Sequence, residues 1–171
     1  MTGAASKTTR SRLLAVIAVC GAIAGAARAQ PSPLAPLEFL AGHCWEGEFA
    51  EGGSWDRHCY EWAYEGRFLR DRHVVTGKRG PYGGETLYRF DGNDQQIVYH
   101  YFDSTGGYST GRVEPAEGEL RFPEERYQEG DRERVLRTVW RRDGDVRLIS
   151  VTEERKGDQW VEAWRVTYVR G

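Results

Sequence analysis

The chain has 171 residues, with 24 Lys or Arg against 26 Asp or Glu and aromatic side chains at 12% of positions. That length suits one ordinary domain. The slight acidic excess leaves no electrostatic footprint for DNA or RNA and speaks against a surface that adheres to anionic lipid.

Residues 1–29 place Lys7, Arg10 and Arg12 ahead of the apolar run Leu13-Leu14-Ala15-Val16-Ile17-Ala18-Val19-Cys20 and end on Ala27-Arg28-Ala29. A basic head, a short apolar middle and small residues spaced A-x-A form the pattern of a secretory signal peptide. The apolar run is too short to span a bilayer comfortably. Val19 stands before Cys20 where lipoprotein processing wants a small residue. The expectation is a periplasmic or secreted chain starting at Gln30, with no stable membrane anchor. The leader holds four basic residues (Lys7, Arg10, Arg12, Arg28) and no acidic one. The remainder therefore keeps 20 of the 24 basic residues against all 26 acidic ones, a formal charge of −6.

Residues 30–36, with Pro31, Pro33 and Pro36, predict an extended, poorly ordered arm. Residues 37–41 predict one helical turn that stops at Gly42. Beyond it no stretch carries a 3.6-residue apolar period over helix length. Runs rich in Val, Ile, Thr, Tyr and Trp alternate instead with Gly, Asp and Asn. Ten such runs are expected as strands: 44–49, 54–64, 67–76, 84–90, 95–103, 108–114, 119–123, 132–142, 145–155 and 159–169. Asp143-Gly144 is the strongest turn signal, a two-residue hairpin loop. Sequential short hairpins imply an all-β, antiparallel up-and-down barrel of about ten strands over 37–171, since closure removes the exposed edges of an open sheet.

Hairpin pairing then assigns side-chain directions, because facing residues share a face. If Phe49 faces Ser54 across Glu51-Gly52-Gly53, then Cys44 faces Cys59, Trp45 faces His58 and Gly47 faces Asp56. Two opposed cysteines in an exported chain predict a disulfide. If Glu65-Gly66 is the next turn, Trp62 faces Leu69, Tyr60 faces Asp71, His58 faces His73 and Asp56 faces Val75. The bulky set Trp45, Phe49, Tyr60 and Trp62 marks this face as interior.

Asp56, His58, Tyr60, Asp71 and His73 thus point inward among Trp45, Trp62, Leu69 and Val75. Unpaired polar groups are expensive in a solid core, whereas a barrel with a cavity can use them to orient a ligand. Three uses compete. The set can be a hydrogen-bonded network tying strands together. It can be a pocket for a small molecule, with His58, His73, Asp71, Tyr60, Trp62 and Asp56 as its ligand-binding residues. Or His58, His73 and Asp71 can serve as a metal or acid–base site, the basis of a lyase or isomerase alternative. No nucleophile, oxyanion site, G-x-S-x-G, Walker loop, H-E-x-x-H or C-x-x-C appears. No catalytic residue, metal ligand or cofactor is therefore assigned. Gly83-Gly84 and Gly106-Gly107 are expected as turn glycines. His100 is expected opposite Glu85, if residues 91–94 form a four-residue turn. The aromatics of the later strands, among them Tyr99, Tyr101, Trp140 and Tyr168, are expected as barrel wall, and the arginines of 132–142 as a solvated face.

The stretch Phe39-Leu40-Ala41-Gly42-His43-Cys44-Trp45-Glu46-Gly47 resembles the L-x-G-x-W-x-G entry of calycin-superfamily barrels. With residues 84–88 and 102–107 it is most similar to exported bacterial lipocalin-like proteins of the DUF1579 group, and more distantly to nitrobindin-type haem barrels. The resemblance implies a calycin-like barrel with Trp45 as a structural plug at its base. Two departures stand out. Gly42 and Trp45 are separated by two residues rather than one, and 159–169 lacks the histidine with which nitrobindin-like barrels hold haem iron. The expected function is non-catalytic binding of a small, partly apolar ligand. The alternatives are the small enzyme or a filled structural or partner-binding envelope barrel. No oligomeric state is assigned.

Overall fold

The computed structural model describes residues 1–3 and 32–171. The leader reading, with Gln30 and Pro31, falls on residues outside that set apart from the first three. Among the described residues, ten strands follow a single short helix: β1 Cys44–Phe49, β2 Ser54–Ala63, β3 Phe68–Gly77, β4 Tyr82–Asp91, β5 Gln96–Asp103, β6 Tyr108–Ala116, β7 Glu119–Glu129, β8 Arg132–Asp143, β9 Arg147–Lys156 and β10 Gln159–Arg170. Each pairs antiparallel with its sequence neighbours, and β1 pairs with β10 from Trp45↔Arg170 to Phe49↔Val166, closing the barrel. The fold is thus all-β and consistent with a calycin-like barrel. Among the described residues no helix is long and apolar enough to cross a membrane.

The alternation in the sequence is the cause of the two-faced strands. In β3, Leu69, Asp71, His73 and Val75 are buried while Arg72, Val74 and Thr76 face out, as period-2 geometry requires. The first two hairpins have the expected register. Cys44 opposes Cys59, Trp45 opposes His58 and Gly47 opposes Asp56; Tyr60 opposes Asp71 and His58 opposes His73. Cys44 and Cys59 are joined in a disulfide 15 residues apart in sequence. Gly52 and Gly53 adopt φ of 77°, the left-handed conformation that lets β1 turn into β2.

Several expectations change. The arm is not extended where it is described: Leu34 is buried, and a 3-10 helix, Ala35–Leu40, begins where Pro36 sits comfortably in a first turn. β7 runs six residues beyond its expected end at Phe122-Pro123. Pro123 has no N–H for the ladder, and the β7–β8 register shifts between Phe122 and Glu125, so the proline marks a bulge rather than a stop. Asp143 pairs with Arg147, making the next loop three residues (144–146) instead of the two-residue Asp143-Gly144 turn. His100 faces Leu87, and Glu85 faces Phe102. The ladder continues to Asp91↔Gln96, where Asp91 accepts the Asn93 N–H and folds residues 92–95 into the loop. Gly83 and Gly84 lie inside β4 rather than in a turn.

The 3-10 helix closes one end of the barrel. Leu37 and Leu40 are wholly buried with Trp45, and Phe39 meets the Trp45 ring edge-on at 6.2 Å. Each such leucine contributes about 1.5–3 kcal/mol by burial. The turns at 50–53, 104–107 and 157–158 belong to the opposite end.

Candidate functional site

Between the apolar plug and that opposite end lies a cavity of about 440 Å³. It reaches solvent, since Arg79 and Thr105 are exposed and line it at strand ends. Its volume falls in the range of small-molecule pockets. Tyr88, Tyr99, Tyr101, Phe122 and Trp140 form much of its wall.

The polar centre is built by β2 and β3 with help from β5 and β10. His58 Nδ1 lies 2.8 Å from Asp71 Oδ2 and its Nε2 lies 3.0 Å from Asp56 Oδ2. His73 Nδ1 lies 3.2 Å from Asp56 Oδ1, and its Nε2 lies 3.0 Å from the Tyr101 hydroxyl. Tyr168 donates its hydroxyl to Asp56 Oδ2 at 2.9 Å. A carboxylate at each ring nitrogen requires His58 to donate twice, which is the imidazolium form. Asp56 accepts from His73 Nδ1–H, and His73 Nε2 shares a hydrogen bond with the Tyr101 hydroxyl.

Electrostatics follow from these contacts. Burial alone would depress the His58 pKa, but Asp71 and Asp56 hold it well above 6.5. Burial alone would raise Asp56, but His58, with hydrogen bonds from both histidines, holds it well below the usual carboxylate range. On another wall Glu125 lies the other way: burial pushes its carboxyl up, while hydrogen bonds from Tyr99 and Ser109 only partly offset that.

The predicted residues do not all meet. Asp56, His58, Asp71 and His73 converge on the cavity. Tyr60 is buried behind it, its ring 6.0 Å from His58 and 6.4 Å from Trp140. Trp62 shares their parity but sits at the plugged end of β2, 40% exposed and outside the lining. Sequence reasoning missed the roles of Tyr101, Tyr168, Tyr99, Ser109 and Glu125. Only the β1–β10 closure puts Tyr168 opposite Gly47 and hence inside. Two strand glycines carried a signal. A Cβ on Gly84 would lie 2.7 Å from both His73 Nε2 and the Tyr101 ring, and one on Gly111 would lie 2.7 Å from Tyr99 Cζ. Those glycines make room for the rings laid across them.

One oxygen of Asp56 and one nitrogen from each histidine lie within 4.8 Å of one another, a spacing that could serve a metal ion. The imidazole rings are parallel within 13° at 4.8 Å between centroids. Their ring nitrogens therefore point along separate planes, each towards a different oxygen of Asp56. A shared ion would need one ring to leave the stack. Asp71, the oxygen donor expected from sequence, instead holds the outer nitrogen of His58. The arrangement is a carboxylate clamp on two stacked imidazoles. Comparison with family models and with curated proteins gives no match.

Proposed function

We propose that this protein is an exported, non-catalytic barrel of lipocalin-like character that binds a small, partly apolar molecule in its interior. The observation that carries the reading is the solvent-reaching cavity of about 440 Å³, lined by aromatic rings and by a buried polar cluster. A structural barrel without a ligand would gain more by filling that volume with side chains. Acid–base chemistry is less well supported, because both nitrogens of His58 are engaged by carboxylates and neither is free to take a substrate proton. The disulfide is compatible with an oxidising, exported location.

The test is titration of the folded protein with the neutral fluorescent dye prodan, together with native mass spectrometry of the protein as purified. Saturable, blue-shifted emission at one dye per chain, or a co-purifying organic mass, supports the reading. Absence of both leaves the filled envelope barrel as the better description.

A further inference from the structure

The interior has an excess of acidic groups that an apolar ligand does not use. Asp56, Asp71 and Glu125 line the inner cavity, and His58 is the single inner cation required by the hydrogen bonds among the described residues. The lining arginines are already paired: Arg79 with Glu51, and Arg134 with Glu154 at 2.8 Å. Asp71 is 1% exposed, and while its Oδ2 receives His58, its Oδ1 has no hydrogen-bond partner among the described residues. A buried carboxylate oxygen without a donor is costly and uncommon. Glu125 Oε2 accepts from Tyr99 and Ser109, and its Oε1 makes no hydrogen bond among the described residues.

These two carboxylates belong to one level of the wall. Asp71 faces Thr86, Thr86 faces Tyr101, and Tyr101 faces Ser109 across β3 to β6. Ser109 Oγ in turn lies 3.4 Å from Glu125. Beside that level stand Tyr88 and Tyr99, their centroids 5.9 Å apart, with Phe122 linking Tyr99 to Trp140 at 5.6 and 4.8 Å. Carboxylate oxygens seeking donors, next to aromatic faces, form the surroundings that favour an organic cation. An anion would enter beside acidic groups.

We infer that the cavity takes a small organic cation, a protonated amine on an apolar body, with its head between Asp71 and Glu125 and its body against Tyr88, Tyr99 and Trp140. This rests on the binding reading above and names its ligand class. Burial holds Glu125 above the usual carboxylate range. An ammonium group arriving beside it stabilises the ionised carboxylate, which burial otherwise disfavours.

The experiment is calorimetric titration at neutral pH, with chelator present, using phenethylamine, phenethyl alcohol and hydrocinnamate as probes of matched shape. The amine is expected to bind roughly tenfold or more tighter than the alcohol, with hydrocinnamate weakest. Glu125→Gln, checked for folding by thermal unfolding, should remove the difference between amine and alcohol. Equal or tighter binding of the alcohol or acid overturns the inference, as does an amine preference untouched by Glu125→Gln. A preference seen only without chelator overturns it in favour of a metal on the Asp56–His58–His73 clamp. If prodan binds and the amine has no advantage, the cation inference alone falls. If neither binds, the binding reading falls with it.

Discussion

His58 meets a carboxylate at each ring nitrogen, so the interior is arranged for its charged form. Removing it leaves Asp56 and Asp71 buried beside each other without their counter-ion. His58→Ala is therefore expected to lower unfolding free energy by about 3–5 kcal/mol, read from urea denaturation. The pH dependence has a definite sign. The raised pKa of His58 gives stability that is complete below 6.5 and is lost as pH rises through the folded value. The lowered pKa of Asp56 gives stability present above 3.8 and lost as pH falls through its folded value. Glu125 adds a penalty that grows above 4.5, because burial favours its neutral form. Stability should accordingly peak on the acid side of neutrality. A urea midpoint that climbs steadily from about pH 6 to about pH 9 would contradict this.

At the scale of elements, the β3–β4–β5 wall depends on Gly84 because His73 and Tyr101 lie where a Cβ would go. Gly84→Val is expected to cost about 1–3 kcal/mol as an overpacked interior does, and to displace both rings. Near-ultraviolet circular dichroism would register the displacement, and an unchanged spectrum with unchanged stability would refute it. The β1–β2 hairpin carries a different constraint. Its disulfide closes a loop with a sequence separation of 15, for which chain entropy gives about 3 kcal/mol. Cys44→Ser with Cys59→Ser should lower the urea midpoint by the corresponding amount, and reductant should have no further effect on that variant.

For the whole molecule, closure and the plug divide the labour. Among the described strands, pairing of β1 with β10 leaves no free sheet edge, and the 3-10 helix packs its leucines over one end of the barrel. Leu40→Ala, at a fully buried position, is expected to cost about 2–5 kcal/mol. It should also deepen the cavity and loosen dye selectivity, seen as weaker discrimination between prodan and larger naphthalene dyes. The exterior is laced with ion pairs such as Arg70–Glu61 and Arg165–Glu162. These exposed pairs are worth little singly, so salt should change stability far less than loss of the plug.

The sequence alone determined the strand count, the disulfide and the inward set Asp56, His58, Asp71 and His73. Those follow from period-2 alternation and from two short glycine turns, and both are local. The β4–β5 register moved by two residues because an Asp91 turn contact, not composition, ends the strand. β7 was cut short at Pro123 because a bulge and a strand end look alike along one chain. Tyr168 and Glu125 became part of the site only through barrel closure and the β6–β7–β8 wall, which join residues separated by up to 112 positions. Which residues point inward is a property of each strand and can be read along it. Which inward residues touch depends on how ten strands close around one cavity, and the tertiary structure alone decides that.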